Sequence, residues 1–406
     1  MRLLVFGHND WWVWREQGFC TRNAALVREL ARRPDVAAVA VVDTPRWRGH
    51  SHRPADRRAD ELTPVDDGVV AVRWSYPLPL PGTSPTARRL NEALTGPGLR
   101  ARLTRWMGPD EAGGPLVVLV ADPRLVRIAL EIPRDVLVVD VIDDWRAHAW
   151  AGRAAVDEGY ALAAAHADLV TGVSRAALDQ VGLPRGHVVP NAVDPLAWTP
   201  RPRPDRLTDL DRPVAGYVGV LQERFDAALL CDVARRLPEV TFALAGPLLH
   251  GVPPGLEAAP ANVRLVGPLQ RPAVPGWLSA LDVALVPHRR DALTASMDPL
   301  KLYEYLAAGR PVVSTVAAPN PDLQPFVRVA ADGADFAAAL ADELDRDDEE
   351  RRDRRRAAVA PLTWPRRADE LLVLIRRAVA ARGIDTGEVA TSRRPDGSVA
   401  TVKTAS

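Results

Sequence analysis

The chain has 406 residues, 47% of them apolar, with 52 basic residues against 52 acidic ones. That length fits two globular domains with full cores, and the balanced charge excludes a nucleic-acid binder of the basic-stripe type. Cys20 and Cys231, the two cysteines, stand far apart and outside metal-ligand spacing, so neither a disulfide framework nor a zinc site is implied, as suits a reducing cytosol.

In chain order, the first apolar run is broken at Gly7-His8-Asn9-Asp10, too early for a signal peptide or a membrane span. No later run reaches the roughly 18 apolar residues a spanning helix needs. The expectation is a cytoplasmic protein with at most peripheral contact at the inner membrane face. Short β-branched runs at 3–6, 36–42, 69–72, 116–120, 136–142 and 169–173 are mostly apolar on both faces, as inner strands of a covered parallel sheet are. Helix-like stretches at 23–33 and 151–165 alternate with them. The alternating prolines of 199–205 remove backbone donors and favour extended chain, which marks an interdomain linker. Strands at 214–220, 240–245, 263–266, 283–286 and 312–316, with helices at 226–237, 274–281 and from 299, then repeat the pattern. The end is helical at 336–344, 347–356 and 365–382, where Ala368, Leu371, Leu372, Ile375 and Val379 form one apolar stripe.

The fold class is therefore α/β, with two doubly wound, Rossmann-like domains facing a cleft. The predicted organisation is a first domain at 1–198, a linker at 199–212, a second domain at 213–364, a helix at 365–382 and a disordered tail at 383–406.

The chemistry concentrates between Met297 and Thr315. Asp298 is a good N-cap, Pro299 a good first helical residue and Gly309 a good stop, giving a helix of about ten residues. Leu302 and Leu306 face the core, while Lys301 and Glu304 share the other side. Free N–H groups at a helix start, with a lysine one turn in, suit a diphosphate. Glu304, a turn deeper, can accept both hydroxyl protons of a ribose. The plain alternative is an intrahelical Lys–Glu pair.

The run 298–315 resembles the nucleotide-sugar segment of the two-domain retaining glycosyltransferases of group 1, often called family 4, with the GT-B fold. Asp143-Asp144-Trp145, Ala167-Asp168-Leu169-Val170 leading to Ser174, Pro190-Asn191-Ala192-Val193-Asp194, Gly216-Tyr217-Val218-Gly219 and Leu244-Ala245-Gly246-Pro247 extend the resemblance over most of the chain. It implies that Lys301 and Glu304 hold the donor's phosphates and ribose, with Asp298, Pro299, Leu300, Gly219 and Gly246 beside them, and that the last helix crosses back to the first domain. The first glutamate of the family's Glu-x7-Glu motif falls at Ser296, which leaves Ser296, Met297 and Asp298 as candidates for the donor sugar. The family's Arg and Lys after the first strand of this domain are reduced here to Arg224, either a phosphate ligand or a solvated loop arginine. His288, Arg289 and Arg290 follow the strand at 283–286, and one of them could supply the missing charge.

On the first domain, Asp143 and Asp144 end an apolar strand, where they could bind or orient acceptor hydroxyls; equally, an Asp could cap the next helix with Trp145 in the core. Trp11, Trp12, Trp14 and Phe19, with Arg15, Glu16 and Arg22 among them, form a candidate acceptor wall. Gly7 lacks the partner glycines of a dinucleotide fingerprint, no Gly-x4-Gly-Lys-Ser/Thr loop occurs, and Asp209-Leu210-Asp211 lies beside the linker rather than at a strand end.

The expected activity is transfer of a sugar from a nucleotide-diphosphate sugar to a carbohydrate, lipid-linked or small-molecule acceptor, with retention and without a metal or other cofactor. Lys301, Arg224 and Asp144 are the candidate catalytic residues; Asp143, Trp145, Trp12 and Arg22 are the candidate acceptor contacts. The rivals are a nucleotide-sugar epimerase on the same architecture and a non-catalytic partner subunit.

Overall fold

Runs of Val, Leu and Ala that are apolar on both faces become inner parallel strands, because only a sheet covered on both sides buries all of them. The structure, a computed structural model, describes residues 1–47, 62–78, 84–108, 114–198, 210–211, 213–248, 251–384, 391–393 and 399–401. The chain divides into two units, Met1–Val189 with Arg367–Ser406, and Pro190–Arg366.

The first unit carries an eight-stranded sheet in the spatial order His187–Val188, Leu169–Gly172, Val136–Val141, Leu116–Val120, Arg2–Phe6, Ala38–Val42, Val69–Val72 and Leu62–Asp66. All neighbours pair in parallel except the last two, an antiparallel hairpin at the edge. The central strands Arg2–Phe6 and Leu116–Val120 are buried throughout. A 23-residue helix, Pro85–Met107, covers this sheet, although Gly96-Pro97-Gly98 in its middle reads as a break. Packing outweighs propensity here: Leu99 and Leu103, in the next turns, are fully buried in the core beneath the sheet.

The second unit carries six parallel strands in the order Val263–Gly267, Thr241–Ala245, Val214–Val218, Val283–Val286, Val312–Ser314 and Val327–Val329. Its helices Ala227–Arg236 and Gly333–Arg346 bury Leu230, Val233, Phe336 and Leu340 against one face. Val274–Ala280 and Leu300–Ala307 bury Trp277, Leu278, Leu302 and Leu306 against the other.

Two boundaries differ from the sequence reading. Residues 190–198, assigned there to the first domain, belong to the second unit. Asn191 donates from its backbone to Asp298, and Val193 bridges Thr363, so hydrogen bonds rather than the prolines set the border. The tail is also not structureless throughout: Thr391–Arg393 pairs antiparallel with Val399–Thr401. The intervening Pro395-Asp396-Gly397, outside the described residues, has a turn-forming composition. Within the proposed linker only residues 210 and 211 are described.

The last long helix, Trp364–Ala381, buries Ala368, Leu371, Leu372, Ile375 and Val379. Its residues from Arg367 onward belong to the first unit, and ion pairs Arg33–Asp369, Asp35–Arg376 and Asp168–Arg382 flank it. Among the described residues, no helix is long and apolar enough to cross a membrane.

Candidate donor site

Parallel strands deliver their following loops to one edge of the sheet, and in the second unit three such loops meet the start of one helix. Gly219 follows the strand Val214–Val218, Gly246 follows Thr241–Ala245 and His288 follows Val283–Val286. Backbone bonds lock these loops together: Gly219 N–H donates to Ala245, Gly246 to Gly267, Leu221 to Pro247 and Arg289 to Arg224.

Gly246 has φ +152°, and a Cβ there would lie 1.9 Å from the Gly219 carbonyl oxygen. Only glycine lets the two loops approach so closely. Gly246→Ala is therefore expected to cost about 1 to 3 kcal/mol of stability in chemical unfolding; an unchanged midpoint would show that the loops relax freely.

Lys301 sits above these loops. Its Nζ donates to the Tyr217 hydroxyl at 2.9 Å and lies 4.4 Å from the centre of the same ring. Tyr217 is fully buried and donates its own proton to the Val220 carbonyl at 3.2 Å. A Cβ on Gly219 would stand 3.1 Å from Nζ, so glycine also leaves the ammonium its space. Burial first, and then the nearby Arg224 charge, lower the Lys301 pKa, against the opposing pull of Tyr217 and Glu304. Arg224 places Nη1 3.9 Å from the Met297 sulfur, and the Gln222 amide oxygen, turned toward the guanidinium, accepts from it at 2.7 Å.

His288 is 1% exposed, its ring centre 6.2 Å from that of Tyr217, and neither ring nitrogen has a hydrogen-bond partner among the described residues. Burial, followed by the Lys301 and Arg224 charges, pushes its pKa down to about 2, so the ring is neutral and offers one donor and one acceptor. Arg289 and Arg290 are both exposed, and Arg290 donates to the backbone carbonyls of Thr315 and Ala330. Of the cations left open by the sequence, Arg224 is the one that the geometry groups with Lys301 and His288.

The local helix differs from its expected form. It runs Leu300–Ala307, with Pro299 in the N-cap position and no side-chain cap. Asp298 is buried and serves another purpose: Oδ2 accepts from Asn191 N at 2.7 Å and from the Tyr303 hydroxyl at 2.9 Å. Ser296 is fully buried at the end of helix Ala292–Ser296, its hydroxyl donating to Leu293 O at 2.9 Å. Leu300 and Lys301, in the first turn, are partly buried. Lys301 and Glu304 do not form the intrahelical pair. Glu304 instead accepts from Arg271 Nη2 at 2.8 Å, and Arg271 lies 4.7 Å over the Trp198 ring. Tyr217 and Arg271 were missed as site residues; the first stood within the Gly216–Gly219 motif, while the loop around Arg271 carried no signal.

The first unit gives its candidates mostly structural duties. Asp144 caps the short turn Trp145–Ala147 and accepts from Arg146 and from Gln180 at 2.9 Å. Burial raises its pKa, but the bonds from Arg146 and Gln180 more than offset that and hold it below the ordinary carboxylate value. The cap and the bonds to Arg146 and Gln180 are the capping alternative that the sequence offered for this aspartate. Trp145 is 2% exposed, and the carbonyl of Asp143 accepts from Tyr160. Arg22, a candidate acceptor contact, is buried in a two-point ion pair with Asp140, which also accepts from Thr171. Trp11 and Trp14 are buried in the helix Trp11–Glu16; Trp12 is partly buried, with Arg73 5.8 Å from its ring. Trp150, not singled out by the sequence, is half exposed and stacks on His148 at 5.4 Å. Among the described residues, no group of three or more His, Cys, Asp or Glu side chains is arranged to hold a metal.

Two Rossmann-like sheets of this kind are shared with solved GT-B proteins, and the fold is GT-B. Sucrose-phosphate synthase (tll1590) of Thermosynechococcus elongatus is similar at TM-score 0.66 and 16% identity, over 94% of this chain and 99% of that one. Anabaena Alr3699/HepE, solved with UDP and glucose, is similar at TM-score 0.60 and 14% identity, over 93% and 99%. Residues 212–346 match the model of the family described as glycosyl transferases group 1. A Bacillus subtilis (strain 168) protein named as a teichuronic acid biosynthesis glycosyltransferase, TuaH, is 30% identical over 193 residues, 45% of this chain and 49% of that one. The match thus spans about half the length of that relative.

Proposed function

We propose that the protein transfers a sugar from a nucleoside-diphosphate sugar to a hydroxyl of a carbohydrate, lipid-linked or small-molecule acceptor, with the second unit binding the donor. The observation that carries this reading is the Lys301 ammonium, held on Tyr217 beside Arg224 and the unpartnered His288 at the carboxyl edge of a parallel sheet. When the sugar C1–oxygen bond breaks, its electron pair leaves on the diphosphate, and fixed cations at that edge stabilise the growing charge. The new bond forms between C1 and the acceptor oxygen, whose proton is released. Retention of configuration accords with the resemblance of the 298–315 run. A half-exposed Trp150 ring favours the first unit as the acceptor side.

The test is to incubate the protein with UDP- and GDP-hexoses, with and without acceptor extracts, and to follow free nucleoside diphosphate and the anomeric signals of the product. Acceptor-dependent release with retained configuration is expected. Conversion of the donor with no acceptor present would mark an epimerase, and neither would mark a non-catalytic chain.

Because Lys301 and Arg224 supply the positive charge, no metal is required in this proposal. Turnover is expected to persist in excess chelator; loss of turnover that manganese or magnesium restores would overturn it.

A further inference from the structure

The helix Glu349–Val359 holds five arginines, and the fold sorts them onto two faces. Arg352 pairs with Asp347 and Glu349, and Arg356 with Glu349 and Asp353. Arg351 and Arg354, three apart and so on one face, line a cleft of about 300 Å³ together with Arg328, Arg346 and Arg355. The charge there is not balanced. Arg328 and Arg346 share one carboxylate, Asp342, at 3.8 and 2.8 Å. Arg355, 5% exposed, is fixed by Glu343, Asp347 and the Gly309 carbonyl. Arg354 reaches Glu350 only at 4.0 Å, and Arg351 has no ion pair among the described residues. Pro325 and Phe326 add an apolar wall to the same cleft.

Several planar guanidiniums converging on a concave space match the tetrahedral oxygens of phosphate, which accept paired N–H bonds. The apolar wall suits an organic substituent better than a bare ion does. We propose that this cleft is a binding site for a phosphate ester, separate from the Lys301 site. The ester can come from a soluble phosphorylated metabolite or from a phospholipid headgroup; the shared chemistry is the phosphate with its organic arm. Because Arg328, Arg346 and Arg354 are more than half exposed, binding weakens as salt rises.

The test uses the full chain and two probes at low salt: glycerol 3-phosphate by calorimetric titration, and phosphatidylglycerol vesicles against phosphatidylcholine vesicles by sedimentation. Proteins compared are the wild type, Lys301→Ala, and the double variant Arg351→Gln with Arg354→Gln. At least one probe is expected to bind the wild type and Lys301→Ala alike, with Kd for the soluble ester of about 1 mM or tighter. The double variant should bind at least about tenfold more weakly, with an unchanged unfolding midpoint. Binding of glycerol 3-phosphate identifies a soluble ester as sufficient, whereas binding of phosphatidylglycerol vesicles alone identifies the headgroup. Binding of neither probe, or binding that the double variant leaves intact, overturns the proposal.

Discussion

Replacing Lys301 by alanine is expected to lower kcat by about 100- to 1,000-fold, the effect of removing one preorganised partner of a developing oxyanion. The ammonium is pinned by the Tyr217 hydroxyl at 2.9 Å and lies over its ring, so it is placed before the reaction begins. It already faces the two charges of the bound diphosphate and meets further charge as the C1–oxygen bond breaks, and only that added interaction raises kcat. Glu304 should behave differently. Held by Arg271 and read as a ribose ligand, it would contact a part of the donor that does not change. Glu304→Ala should therefore raise the donor KM with little change in kcat, by about 10- to 150-fold for a charged hydrogen bond of roughly 1.5 to 3 kcal/mol. Steady-state kinetics of both variants checks the split, and near-normal kinetics in both would move the donor site elsewhere in the second unit.

Truncation before Pro365 is expected to unfold the first unit. The helix Trp364–Ala381 buries Leu371, Leu372, Ile375 and Val379 at 2% exposure or less. At about 1.5 to 3 kcal/mol for each such side chain, the loss is roughly 6 to 12 kcal/mol, an upper estimate that matches the total stability of a typical domain. The three flanking ion pairs are exposed on at least one side and add little. A chain ending at 384 should keep the midpoint of the full chain in calorimetry, while one ending at 364 should lack the transition of the first unit. Equal stability of the two truncations would refute this assignment.

Much of the fold was legible because its signals are local. A run such as Leu116–Val120, apolar on both faces, has few stable places other than an inner parallel strand. The edge strands Leu62–Asp66, His187–Val188 and Val327–Val329 went unread because half-exposed, short segments carry no such pattern. The helix Pro85–Met107 went unread because Gly96-Pro97-Gly98 argues against it locally, and only contact with the sheet outweighs that preference.

The sequence by itself determined the two α/β units, the helix that carries Lys301 and Glu304, and the glycines that end the neighbouring strands, since each is written within a few consecutive residues. Tertiary structure alone decided what those side chains touch. Lys301 meets Tyr217 from 84 residues away, Glu304 meets Arg271 from 33, and Asp298 gives up its expected cap to bind Asn191, 107 residues upstream. Arg22 and Asp144, which looked available, are spent on Asp140 and Arg146. The reason is physical: a buried charge must find a partner, and which partner is within reach depends on how distant segments pack, not on the spacing around the residue itself.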